Sequence, residues 1–447
     1  MQLKKQTNIR HALALATCAT LHGTPQAAEV VEGNRWQVDS AFLYYGEQDR
    51  VDVYEPAIFA SKQLNESETL TMRGVFDVMT GATPNGAVPS TVSQTFTSPS
   101  GNAYTVAPNE SPTMDFDDQR AAIGLDWEKS TDRLVKRTIS GDLSAEGDYS
   151  SIGGSLSYAF DSEDRMRTFA IGAGLNYDLV NPNGGKPTEL SLMSSYVPSG
   201  RALHSTAGRN AEFSSREDDD EGGEGDDFSL FQGERKITAS LLLGVTQVLS
   251  RQSLVQFNYT RSQSDGYLND PYKLVSLVDS SGTPVDALFE KRPDTRGGNA
   301  LFTRLVYHLP KDVVHLSYRY YWDDWGITSH TGDIAYRFEL SNGGYLQPHL
   351  RYYQQTGADF YHSALLDTDP LPDYASADYR LAEMQSTTVG LKLGLPMGKH
   401  AELALRAELM KQTGDSHPSD AIGALQQLDL YPGLDATILQ ISYTTEF

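Results

Sequence analysis

The chain is short of cysteine, of positive charge and of long apolar runs, and each shortage removes a class of protein. A single cysteine, Cys18, stands among 447 residues. Disulfides, thiol chemistry, c-type haem attachment and cysteine-ligated iron–sulfur clusters are therefore excluded from everything beyond the first turn or two of sequence around it. Lysine and arginine number 36 against 59 aspartate and glutamate, a formal net charge of −23. Nucleic acid is not an expected partner, because phosphate binding needs clustered bases. Past the amino terminus nothing offers the run of about 20 apolar residues that a membrane helix requires. No glycine-rich phosphate cradle lies between a strand and a helix.

What the chain has in quantity is alternation. Mean hydropathy is −0.42, yet a transmembrane barrel buries only every second residue in lipid, over strands of about 10 residues, so a polar average suits it. Glycine (38) and tyrosine (24) are plentiful, as in exported β-proteins. Alternating segments are predicted at 35–45, 51–60, 69–79, 119–128, 133–145, 149–160, 167–179, 236–249, 253–262, 300–309, 312–322, 328–340, 345–355, 380–395, 400–411 and 436–447. They amount to roughly sixteen strands, an even number as expected of a bacterial barrel. Every second connection is short and rich in turn residues, as at Leu309-Pro310-Lys311, Ser341-Asn342-Gly343-Gly344 and Pro396-Met397-Gly398-Lys399. The long ones, 80–118, 180–235, 263–299, 356–379 and 412–435, all fall in the other phase. The fold expected is all-β: a transmembrane antiparallel up-and-down β-barrel with short periplasmic turns and long extracellular loops.

The two faces of these strands differ. Phe169, Ile171, Ala173, Leu175, Tyr177 and Leu179 oppose Gly172, Gly174, Asn176 and Asp178, and Leu403, Leu405, Ala407 and Leu409 oppose Glu402, Arg406 and Glu408. Ionisable residues recur on the polar face: Arg73, Asp77, Arg120, Asp126, Arg304, His315, Arg319, Asp333, Arg337, Glu339, Arg351, Arg406 and Glu446. A dry core would not hold so many charges, whereas a water-filled lumen would, and these are the candidate lumen-lining residues. Aromatics near strand ends, among them Trp36, Tyr44, Trp127, Tyr158, Phe160 and Trp322, suit interfacial girdles.

Both termini carry targeting features. Lys4, Lys5 and Arg10 precede an apolar Ala12 to Leu21, so 1–28 read as a cleaved signal peptide and 29–447 as the barrel, with a disordered acidic loop at about 200–230. The closing segment 436–447 has Tyr443 and Phe447 on its apolar face, resembling the outer-membrane assembly signal read by the barrel assembly machinery. Outer-membrane lipid and that machinery are the expected partners, and a Gram-negative outer membrane the expected location.

Catalytic and metal-binding patterns are sparse. His315-Leu316-Ser317 places a histidine and a serine on one strand face, like the pair of outer-membrane phospholipases, but the following strand offers no asparagine to orient the histidine. An outer-membrane hydrolase using His315 and Ser317 is one alternative, and a polar lumen ladder is the preferred reading. Asp323, Asp324, His330 and Asp333 suggest a site at the extracellular rim, against which stands a hydrated tight hairpin at Trp322-Asp323-Asp324-Trp325-Gly326. The acidic run Glu217-Asp218-Asp219-Asp220-Glu221 lacks the register of a calcium loop and reads as a solvated segment. No catalytic residue, cofactor or metal is assigned.

Four stretches, GATPNGAVPSTVSQTFTSPSG (81–101), LLLGVTQVLSRQSLVQFNYTRSQSDGYLNDPYK (241–273), LSYRYYWDDWGITSHTGDIAYRFEL (316–340) and LQPHLRYYQQTGADFY (346–361), resemble those of the domain-of-unknown-function 3570 family of exported bacterial proteins. The resemblance implies an outer-membrane barrel and transfers no activity and no catalytic residues. It also implies an association with exported flavin- or haem-bearing redox partners. The function expected is a non-enzymatic porin-like channel or sheath with a polar, charged lumen, the alternative being a scaffold for such a redox partner.

Overall fold

The computed structural model describes residues 35–100, 102–182, 184–198 and 233–447. The signal segment 1–28 and the acidic run near 217–221 lie outside the described residues. In chain order the strands are β1 (Trp36–Glu47), β2 (Val51–Asn65), β3 (Glu68–Pro84), β4 (Gln94–Thr97), β5 (Ala103–Val106), β6 (Thr113–Asp132), β7 (Val135–Ala145), β8 (Tyr149–Asp161), β9 (Arg167–Val180), β10 (Glu234–Ser250) and β11 (Ser253–Gly266). They continue with β12 (Leu274–Val278), β13 (Pro284–Phe289), β14 (Thr295–His308), β15 (Val313–Asp323), β16 (Thr328–Glu339), β17 (Tyr345–Gln355), β18 (Ala364–Leu366), β19 (Met384–Pro396), β20 (Ala401–Gly414) and β21 (Leu434–Glu446). Sixteen of them close into one antiparallel barrel, each paired with its sequence neighbour once β4, β5, β12, β13 and β18 are set aside.

All sixteen predicted strands correspond to barrel strands. Several reach further than the alternation suggested: β6 begins at Thr113 rather than 119, and β14 at Thr295 rather than 300. The segment predicted from 380 starts instead with a 3-10 turn, Tyr379–Leu381, held by the Asp378 side chain on the Arg380 backbone N–H, so β19 begins at Met384. The final strand closes the cylinder. Phe42 pairs with Ile441 and Tyr44 with Leu439, and the Trp36 N–H donates to the Phe447 carbonyl at 2.8 Å. Closure removes both sheet edges, the condition for a sheet to cross a bilayer without stranded backbone groups.

Side-chain alternation sorts the wall into two faces. Leu439, Ile441 and Tyr443 are exposed on β21 while Gln440 and Ser442 are buried, and on β6 Ile123 and Leu125 are exposed to either side of Gly124. The exposed apolar band is the lipid-facing exterior; sixteen strands enclose an interior too wide for side chains alone to fill.

Antiparallel order puts connections on alternate ends. The hairpins at 66–67, 133–134, 162–166, 251–252, 309–312, 340–344 and 397–400 share the end where β1 starts and β21 finishes. The long connections 85–112, 181–233, 267–294, 356–383 and 415–433 share the other. That end also carries three short turns, 48–50, 146–148 and 324–327.

Candidate functional site: a charged lumen wall under a loop cap

The polar wall faces opposite the apolar band, and its charges fall into two arcs. On β2, β3 and β6 the Arg73 guanidinium donates to Asp126 at 2.9 Å, while Arg120 grips Asp77 and lies 3.9 Å from Glu55. Further round, Lys236 of β10 meets the fully buried Asp178 of β9 at 2.7 Å. Acids and bases here neutralise one another, as buried charges must.

The arc from β14 to β20 is built differently. Arg304 approaches the His315 ring at 3.3 Å, and Arg319 lies over the Tyr321 ring at 5.1 Å with no described carboxylate within 4.0 Å. Arg337 donates to Glu339 at 2.5 Å and rests on the Tyr345 ring. Arg351 stands 3.9 Å from Asp333, and Arg406 3.8 Å from Glu408. His349 bridges two of these carboxylates, with Nε2 3.0 Å from Asp333 and Nδ1 3.0 Å from Glu408. Glu408 reaches it from β20 across β19 because the intervening residue is Gly390, where a Cβ would lie 2.5 Å from the Glu408 Cγ. Glu446 sits at the short-turn end, 4.0 Å from His400. His349 and Lys236 were not singled out from sequence, though both stand on the polar parity of their strands, the one signal that could have found them.

The other sequence candidates do not assemble into chemistry. The His315 ring turns to Arg304, and the register sets Ser317 between Arg304 and Asp333. No described hydrogen bond joins His315 to Ser317. Asp323 accepts from Arg296 at 2.5 Å, and both Asp324 oxygens accept the Gly297 N–H at 2.8 Å. His330 lies on the outer face and Asp333 on the inner one, so the four rim candidates are dispersed. No described group of three or more His, Cys, Asp or Glu could hold a metal ion. The hydrated hairpin is corrected too: Trp325 is buried against Phe360 at 5.1 Å, stacks under Arg296 and donates its indole N–H to the Thr295 carbonyl.

The long connections form a cap. The hairpin β12–β13 takes β18 as a parallel third strand, joining 267–294 to 356–383. Val88, Val278, Ala421 and Leu425 make one apolar cluster from three connections, and Phe96, Leu274 and Phe289 with Met193 and Tyr196 make another. Three connections meet at Gly86, whose φ is +97° and whose absent Cβ would lie 2.5 Å from the Leu274 carbonyl. The cap reaches the inner wall, where Tyr379 and Tyr431 pack on Met384 and Tyr353, and Gln355 donates to the Arg380 and Ala382 carbonyls.

At its centre lies a buried ionic lattice. Arg292 donates to Glu290 at 2.8 Å and to Asp378 at 2.7 Å; Arg380 donates to Asp378 at 2.5 Å and to Asp270 at 2.9 Å. The Ser376 hydroxyl adds a bond to Glu290. Burial would raise the Asp378 carboxyl, but Arg380, Lys273 and Arg292 outweigh it and hold that group well below the usual carboxylate range. Lys273 reaches the carbonyl of Pro84, the last residue of β3, and the next N–H, that of Leu274, donates to the Asn85 carbonyl at 2.8 Å, tying a third connection to the lattice.

Burial lowers Lys273 to about 8, against the pull of Asp378. Its folded pKa thus lies below its unfolded one, so above about pH 8 the unfolded chain holds the extra proton and stability rises with pH; below that value both states are protonated and the gain is absent. Hydrogen exchange in 267–294, corrected for intrinsic rate, is expected to slow between pH 8 and 9.5, and Lys273→Met to abolish that slope.

A search of curated protein sequences found no match. Among solved structures, the outer membrane protein OpdK of Pseudomonas aeruginosa is similar at 8% identity and a TM-score of 0.39, over 93% of this chain and 100% of that one. A loop-deleted OmpT of Vibrio cholerae is similar at 9% and 0.38, over 92% and 98%. The CymD monoaromatic hydrocarbon channel is similar at 8% and 0.39, over 93% and 89%. The sequence pattern of the protein family of unknown function DUF3570 matches residues 10–445, from ahead of β1 into β21, and the chain belongs to that family.

Proposed function

We propose that the protein is an outer-membrane channel of porin type, without catalysis, whose charged lumen passes small hydrophilic solutes and whose long loops cap the extracellular mouth. The observation that carries this reading is the ionised inner wall: Arg304, Arg319, Arg337, Arg351 and Arg406 stand on consecutive or near-consecutive strands, a placement that only a hydrated bore makes affordable. Tyr443 and Phe447, on the outer face of the closing strand, are the residues assigned to the assembly machinery. Purified protein in planar bilayers is expected to give discrete conductance steps. Replacing 267–294 with a short turn is expected to raise the conductance of each step. A silent bilayer with both the full chain and that variant, each inserted and heat-modifiable on gels, refutes the channel reading.

A further inference from the structure

The outer wall carries a feature that the lumen does not explain. Along one cross-strand row, Phe257 pairs with Thr303, Thr303 with Tyr318, and Tyr318 with Gly332. Large and small residues alternate, and nothing lies within 4 Å of where a Gly332 Cβ would be. Thr303 of this row lies in a hollow of about 980 Å³ on the lipid-facing side, spanning β9 to β16 and walled by Phe169, Leu243, Phe257, Leu301 and Tyr318. Phe257 is 56% exposed and Leu301 49%.

Polar groups gather on the side of this hollow nearer the long connections. The Tyr318 hydroxyl and His330 Nδ1 are 2.5 Å apart. One row above Tyr259, Leu301 and Tyr320 comes Arg261, paired in register with Asn299, which pairs in turn with Trp322. The Arg261 guanidinium donates to the Asn299 side-chain oxygen at 3.3 Å and to that of Gln263 at 3.0 Å. Both acceptors are neutral; the Asp324 carboxylate, which takes the Gly297 N–H, flanks the same glycine as Arg261 without forming a described ion pair with it. Trp322, stacked on Tyr320 at 5.3 Å, marks the level of the bilayer interface. A cation on the outer face of a barrel is costly unless an anion meets it there.

We propose that the hollow and Arg261 form a site for an anionic phospholipid: one acyl chain lies between Phe257 and Tyr318, the net negative headgroup meets Arg261, and His330 faces the linkage between them. The hollow is open to the lipid and admits a slender chain, and a guanidinium whose hydrogen-bond acceptors are neutral amides favours an anion.

Native mass spectrometry of the detergent-purified full chain, titrated with phosphatidylglycerol or phosphatidylcholine of identical chains, tests the site. The phosphatidylglycerol complex is expected to be retained about tenfold better, as one charge-assisted contact implies. Arg261→Gln is expected to remove that preference. Arg137→Gln, at another outward cation, which lies over the Trp127 ring, is expected to leave it intact. Thr303→Trp, filling the hollow, is expected to lower retention of both lipids. Each variant is checked for heat-modifiable migration. Equal retention of the two lipids, an Arg261→Gln variant that keeps the preference, or lipid-free oligomers cross-linked through Phe257 would each overturn the proposal.

Discussion

Replacing Asp378 with alanine is expected to release the cap while leaving the barrel closed. Asp378 is 1% exposed and receives both Arg292 and Arg380, so its removal leaves Arg292 with Glu290 alone and Arg380 with Asp270 alone, and the buried lattice with an excess of positive charge. Breaking a buried pair by deleting one partner costs about 3–5 kcal/mol, because the surviving charge stays desolvated. Here both guanidinium groups keep one carboxylate each, so the cost is expected at the lower end of that range, and it falls on the junction of three connections. The measurement is limited trypsin digestion of protein in detergent: Lys273 and Arg380 are shielded in the parent and are expected to become cleavage sites in the variant, with heat-modifiable migration unchanged. Asp378→Asn keeps the volume and isolates the charge; it is expected to open the cap nearly as far. A cap that stays resistant in both variants would show that the apolar clusters around Leu425 and Phe96 hold it without the lattice.

The second large effect lies on the closing strand. Ile441 is 46% exposed near the middle of β21, and Gln440 beside it is 8% exposed and faces inward. Arginine at position 441 is expected to destabilise the barrel by about 2–4 kcal/mol, the cost of a cation on the lipid face near the midplane. Arginine at 440, one residue away, faces the lumen and is expected to cost less, because the lipid-face penalty does not act there. Urea titrations of both variants in lipid vesicles give the difference directly. Equal costs at the two positions would mean that the register between β1 and β21 is wrong by one residue, since a single slip exchanges the faces.

Much of this was legible one strand at a time. Each barrel strand crosses between two solvents, lipid outside and water inside, and each solvent selects its own residues at a period of two. Arg319 could therefore be placed inward from its neighbours Tyr318 and Tyr320 alone. Chain direction did the rest, since antiparallel neighbours send loops of one parity to one end. Trp325 was not legible in this way. Its sequence context, two aspartates and a glycine, reads as a wet turn, but the turn is packed over by Phe360 from a connection some thirty residues on. His349 was equally hidden, because its partners Asp333 and Glu408 come from strands on either side.

The sequence by itself determined a closed barrel, its sixteen strands, which face meets lipid and which end carries the loops. These follow from local periodicity and turn chemistry, which each segment satisfies without reference to distant ones. Only the tertiary structure decided that the loops condense into one cap, that Glu290, Arg292, Asp378 and Arg380 share a buried lattice, and that Thr303 lies in a hollow near Arg261. Those depend on adjacency between residues tens of positions apart, which follows from how strands pair in register and from the paths of irregular connections. Neither leaves a periodic trace in the chain.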